Sequence, residues 1–115
     1  MMTIYEALAD DTRRRILDLL REQPRTVNEL TVVLAISQPG VSKHLRVLRE
    51  VGLVRVRQEA QRHWYEIRPE PLAEVDTWLA SFRHLWHERF DRLDDLLRDL
   101  QEQEEEKDDD PNDHQ

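Results

Sequence analysis

The stretch Ser37–Gly52, SQPGVSKHLRVLREVG, constrains this chain more than any other. Ser37 is a helix-capping residue, Pro39 fits the first turn where its missing N–H is harmless, and Gly52 can close the helix in a left-handed conformation. Between those signals, Val41, Leu45 and Leu48 recur at steps of four and three residues. That spacing puts them on one helical face, which must lie on a core. Gln38, Ser42, Lys43, Arg46 and Arg49 fall outside the stripe and are predicted to face outward. From Ser37 to Arg49 the chain carries Lys43, His44, Arg46 and Arg49 and not one carboxylate.

The segments before it are further short helices. IYEALA (Ile4–Ala9) is an apolar helix candidate, and Asp10 or Asp11 caps TRRRILDLLREQ, with Ile16, Leu17, Leu19 and Leu20 on its apolar face. Pro24 ends that helix. TVNE (Thr26–Glu29) has capping-box form, Thr26 and Glu29 each reaching the other's amide, and opens a helix carrying Val27, Leu30, Val33 and Leu34. Beyond Gly52 the period changes to two over Leu53–Ile67, predicting a two-stranded hairpin that turns around Glu59–Arg62. From Pro71 to Leu100 no further Gly or Pro occurs, and one long helix is predicted. Leu72, Leu79, Trp86, Leu93 and Leu100 repeat every seven residues on it, with Val75, Phe82 and Leu96 in a second series broken at Arg89. A heptad seam of that length asks for a partner helix.

The 115 residues have a formal net charge of −8, which argues against a polyanionic partner until the charge is located. Residues 1–68 hold 12 Lys/Arg against 9 Asp/Glu, a net of +3. Residues 69–100 carry −4, and the last fifteen, QEQEEEKDDDPNDHQ, carry −7. The acidity is therefore largely terminal. The expected organisation is one domain over residues 1–100 and an acidic disordered tail over 101–115. With no Cys, disulfides, thiolate metal sites and a cysteine nucleophile are excluded. No apolar run approaches the roughly 18 residues of a membrane span, so a cytoplasmic protein without membrane contact is expected.

Helix, capped helix, tight turn, second capped helix with a polar outer face, then a basic hairpin: this order predicts a mainly α fold with a small β-hairpin, a winged helix-turn-helix. The chemistry suits double-stranded DNA. Gln38 can present its amide to adenine, Ser42 can serve either base, and Lys43 can reach guanine acceptors. Arg46, Arg49 and the amides behind Ser37 and Pro39 are placed for phosphates, and His44 for a groove or phosphate contact. Arg55, Arg57 and Arg62 on the hairpin suit the backbone or the minor groove.

LADDTRRRILDLL, SQPGVSKHLRVLREVGLV and WYEIRPEPLAEVDTWLASF resemble the ArsR-type winged-helix repressors, most of all the branch of autorepressors without a metal site. The resemblance covers about Ile4–Leu100 and implies a homodimer built from the first and last helices, with two recognition helices about one DNA turn apart on a pseudo-palindromic operator. Ile4, Tyr5, Leu8, Leu72, Val75, Leu79, Phe82, Trp86 and Leu93 are the expected dimerisation residues. Three positions depart from the family pattern: Asp11 stands where Pro is common, Gly40 where Ala is usual, and Ala60 where Gly is usual. Gly40 is expected to loosen the helix start, and Ala60 to make the wing tip longer or mobile.

The family's thiol-sensor positions fall on Thr26 and Asn28, neither a thiolate. Its last-helix zinc pattern falls on Glu74, Asp76, His87 and Phe90, of which Phe90 has no donor. His84, His87 and Asp91 could still form a three-ligand face at i, i+3, i+7, so a metal-responsive repressor is one alternative. A winged-helix protein-interaction module is the other. No cofactor is expected. Neither a phosphate loop nor a nucleophile with orienting partners is present, and no enzyme is expected.

Overall fold

The computed structural model describes residues 2–108. Four helices come first: α1 (Ile4–Leu8), α2 (Asp11–Glu22), α3 (Val27–Leu34) and α4 (Gln38–Glu50). Strands β1 (Val54–Glu59) and β2 (Arg62–Ile67) follow, then α5 (Leu72–Ala80) and α6 (Arg83–Asp108). The mainly helical fold with one hairpin is the one the sequence predicts.

Local chemistry sets the helix starts. Thr3 caps α1 with a full reciprocal box to Glu6, which the sequence reading did not identify. Asp10, not Asp11, caps α2, its Oδ1 accepting from the Arg13 amide at 3.0 Å. Thr26 caps α3, its hydroxyl accepting from the Glu29 amide at 3.2 Å, and only this forward half of the expected box is made. Ser37 caps α4 through the Gly40 amide at 3.2 Å.

The core is a single cluster drawn from these elements: Ile4, Ile16, Leu17, Leu20, Leu30, Leu34, Val41, Leu45, Leu48, Leu53 and Val54. Each Leu or Ile so buried contributes about 2 kcal/mol of transfer free energy. Leu8, Val27, Tyr65, Leu72 and Val75 pack against its edge. Two expectations are corrected here. Ile4, expected at a dimer contact, is 6% exposed inside this core. Val33, expected on the buried face of α3, is exposed, because Leu30 and Leu34 occupy that face at a four-residue step.

The hairpin is antiparallel with Val54 opposite Ile67, Arg55 opposite Glu66, Arg57 opposite Trp64 and Glu59 opposite Arg62. Its turn is Ala60–Gln61 alone, with Ala60 at φ 57°. The tip is thus a tight two-residue turn, shorter than the Ala for Gly replacement predicts. Cross-strand pairing closes it although an L-residue in that region carries a strain of about 1 kcal/mol. A bridge between Arg25 and Tyr65, with reciprocal N–H···O bonds of 3.0 and 2.8 Å, ties β2 to the α2–α3 connection.

The single domain expected over 1–100 divides into two compact units, Met1–Thr77 and Trp78–Gln115. Val75 is the last residue packed against the core, and the large apolar residues of α6 are all exposed. The long helix expected over 71–100 is also interrupted. The Ser81 hydroxyl donates to the Trp78 carbonyl at 2.6 Å, and the Ser81 and Phe82 amides bond three residues back, to Trp78 and Leu79. These short-range bonds replace the helical ladder, so α5 stops at Ala80 and α6 starts at Arg83. Within α6, Trp86, Phe90, Leu93, Leu97 and Leu100 follow steps of four and three residues, a seam without the Arg89 break. The tail expected to be disordered from Gln101 is helical as far as Asp108, and residues 109–115 lie outside the described residues.

Two stability outcomes follow. The Arg13 amide hydrogen bond holds the Asp10 carboxyl below its ordinary value; slight burial opposes this, and the Arg13 and His44 charges assist it. With the folded value below the unfolded one, the stabilisation is complete above about pH 4 and fades as pH falls through the folded value. Asp10→Ala is expected to cost about 1 kcal/mol in urea unfolding at neutral pH. Asp10→Asn keeps the cap and loses the acid-side dependence. Ala60→Gly is expected to raise stability by up to about 1 kcal/mol in thermal melts, by relieving the positive φ.

Candidate nucleic-acid interface

The turn between α3 and α4 is set by Ala35, at φ 55°, whose amide bonds the Thr31 carbonyl at 2.9 Å. It turns the chain within a few residues, so Ser37 can cap α4 at once. Gly40 has a steric reason to be glycine. A Cβ there would lie 3.0 Å from Ile36 Cγ2 and 3.2 Å from Ser37 Oγ, the atom that makes the cap. At the other end, the Gly52 amide bonds the Arg49 carbonyl at 3.0 Å and the Leu53 amide bonds the Leu48 carbonyl at 2.9 Å. With Gly52 at φ 80° this is the expected left-handed closure.

Between those ends Val41, Leu45 and Leu48 are essentially inaccessible. Gln38, Ser42, Lys43, Arg46 and Arg49 are exposed, as are Ser37 and Pro39. Among the described residues no carboxylate pairs with Lys43, Arg46 or Arg49, so three cations stand free along the outer face. His44 differs from the expectation of an outward contact. It is half-buried at the edge of the face, its Nδ1 3.4 Å from Arg13 Nη1. Arg13 itself donates to the carbonyls of Ala7 at 2.8 Å and Glu6 at 3.1 Å, which ties α1 to α2 beside α4.

Two clefts flank α4. One lies at its N-terminal end and is lined by Gln38, by Asn28 and Glu29 of α3, and by Gln61, Arg62 and His63 of the hairpin. The other runs beside its C-terminal half and is lined by Arg46, Arg49, Glu50, Val54, Arg55 and Val56. Arg62 has no ion pair among the described residues, whereas the other two hairpin arginines are held. Arg55 Nε donates to Glu66, Arg57 Nη1 donates to Glu59, and Arg57 Nε lies 3.7 Å from the second Glu66 oxygen. The Glu59 hydrogen bond and the Glu59 and Glu66 charges raise the Arg57 pKa above its already high ordinary value, against slight desolvation. Arg57 is a permanent cation.

The remaining candidates are dispersed. Trp64 is half-buried on the outer face of the hairpin, opposite Arg57. Tyr5 is 38% exposed, its hydroxyl 3.5 Å from the Glu74 carbonyl. Leu8, Leu72 and Val75 sit against the core edge, Leu79 is half-buried, and Phe82, Trp86 and Leu93 are exposed. No group of three or more His, Cys, Asp or Glu able to hold a metal exists among the described residues, so the alternative built on His84, His87 and Asp91 is not favoured. No helix among them is long and apolar enough to cross a membrane.

A capped helix with an exposed cationic face, packed behind a shorter helix and flanked by a hairpin, defines a winged helix-turn-helix protein. Residues 10–56 match the family described as "Bacterial regulatory protein, arsR family". The chain is 43% identical over 79 residues to the arsenic resistance transcriptional regulator ArsR1 of Pseudomonas putida, a match covering 68% of this chain and 62% of that one. It is 42% identical over 78 residues to the HTH-type transcriptional regulator Rv2034 of Mycobacterium tuberculosis, covering 68% and 73%. Its fold is similar to the homodimeric winged helix-turn-helix DNA-binding domain of Mb0332 from Mycobacterium bovis. That likeness has TM-score 0.56 and 30% identity, covering 69% of this chain and 73% of that one. The chain belongs to the arsR family of bacterial regulatory proteins.

Proposed function

We propose that this chain is a sequence-specific, double-stranded-DNA-binding transcriptional repressor that acts as a homodimer on a pseudo-palindromic operator. The observation that carries the reading is the outer face of α4: Gln38, Ser42, Lys43, Arg46 and Arg49 exposed on a helix whose opposite face is locked into the core. Such a helix enters a major groove with its N-terminal residues toward base edges. Gln38, Ser42 and Lys43 read bases, and the Ser37 and Pro39 turn and Arg46 and Arg49 hold phosphates. Arg62 meets the backbone from the first cleft. Arg55 and Arg57 reach phosphates only by leaving their carboxylates, and His44 contributes from the edge of the face.

Dimerisation uses the residues left exposed beyond the core. Tyr5, Phe82, Trp86 and Leu93 are the contacts, together with Leu8, Leu72, Val75 and Leu79, and Ile4 is withdrawn to the core of its own chain. Repression follows from occupying promoter DNA and needs no catalysis, no cofactor and no metal. The working compartment is the cytoplasm.

Footprinting the DNA upstream of the protein's own gene tests the reading. Lys43→Ala is expected to weaken binding to the protected fragment by about 1–3 kcal/mol. Unchanged affinity would remove α4 as the reading helix. Leu93→Asp is expected to shift the sedimenting species from dimer to monomer and to lose most operator binding with it.

A further inference from the structure

The hairpin register puts Arg55, Arg57 and Glu59 of β1 and Arg62, Trp64 and Glu66 of β2 on one face, because Arg55 pairs with Glu66, Arg57 with Trp64 and Glu59 with Arg62. The other face, with Val54, Val56, Tyr65 and Ile67, turns to the core side. The outer face therefore carries three arginines and two glutamates, and the carboxylates are not spread evenly. Arg55 donates to Glu66, and Arg57, which donates to Glu59, also lies 3.7 Å from the second Glu66 oxygen, while Arg62 keeps its charge free among the described residues. Glu66 is also the sheltered member of the group. Its side chain is 17% exposed, against 61% for Arg55 and 42% for Arg57. A sheltered acceptor holding two more exposed donors is a geometry in which the donors, not the acceptor, exchange partners.

A guanidinium offers the same fork of donors to a carboxylate as to a phosphate. To reach a phosphate, Arg55 must leave Glu66, and Arg57 must turn away from Glu66 and Glu59. This competition acts on phosphate contacts, which every duplex presents alike, and not on base contacts made by α4. We propose that Glu66 is a specificity-determining residue: by holding Arg55 and Arg57 in the DNA-free protein, it suppresses binding to non-cognate DNA and so widens the margin between operator and random sequence. The proposal rests on the DNA-binding reading above and adds to it the residue that sets the background.

The test uses the full chain and a short random-sequence duplex, with fluorescence anisotropy across a salt series. Glu66→Gln keeps a side chain of the same shape and removes the charge. It is expected to tighten binding to the random duplex about three- to tenfold at moderate salt, and to steepen the salt dependence by about one unit of slope per protomer. The ratio of affinities for the footprinted promoter fragment and the random duplex should fall accordingly. In an Arg55→Ala, Arg57→Ala background the same Glu66→Gln change should give no gain, because the arginines it releases are gone. A gain that persists there would mean that Glu66 acts only as a repelling charge, and the proposal would be overturned. It would equally be overturned by unchanged or weaker random-duplex binding in a Glu66→Gln protein whose thermal melt matches wild type. Failure of the wild-type protein to bind any duplex at low salt would instead remove the DNA-binding reading itself.

Discussion

Burial of Val41, Leu45 and Leu48 is the interaction on which everything else in this molecule hangs. These side chains share one cluster with Ile16, Leu17 and Leu20 of α2, Leu30 and Leu34 of α3, and Leu53 and Val54 at the start of the hairpin. Rotating α4 about its axis would withdraw them from that cluster and bring Lys43 or Arg46 toward it. At roughly 2 kcal/mol of transfer free energy per apolar side chain, plus the penalty for dehydrating a charge, no rotated arrangement competes. The same three residues thus determine which five face outward. The exposed polar face is a consequence of packing on the reverse side.

The ends of α4 keep that orientation accurate. A serine cap with a glycine behind it opens the helix, and a left-handed glycine with two back-directed amide bonds closes it directly into the buried Leu53. Leu53 then hands the chain to β1, and the Arg68 amide returns to the Leu53 carbonyl at 2.7 Å. The wing is therefore joined to α4 through a buried residue and two hydrogen bonds. The Arg25–Tyr65 bridge secures β2 from the side of α2 and α3. The cationic helix and its wing are held as one body by a buried leucine and backbone hydrogen bonds.

Electrostatics is graded across this surface. Among the described residues Lys43, Arg46 and Arg49 of α4 have no ion pair, the hairpin has one arginine without one and two held by carboxylates, and acidity accumulates in the second unit. A protein with net charge −8 can address a polyanion because the charge that matters is local and salt shortens the reach of the rest.

The order of elements was legible because its signals are local. A cap acts on amides two or three residues away, a buried stripe repeats every three or four, and a hairpin alternates every two. That is why Ser37, Gly52, the Val41–Leu45–Leu48 stripe and the hairpin at Glu59–Arg62 could be read directly from the chain. Sequence determined that α4 has a basic outer face and that a hairpin with arginines follows it. Tertiary structure alone decided that Ile4 belongs to the core, that His44 turns toward Arg13, that Glu66 gathers Arg55 and Arg57, and that Arg25 pairs with Tyr65. Each of these depends on groups brought together from distant positions or adjacent strands, where side-chain reach and competing acceptors, not spacing along the chain, select the partner. The break at Ser81 belongs with them: a serine is tolerated within a helix, and only the hydrogen bonds actually made show that the ladder stops there.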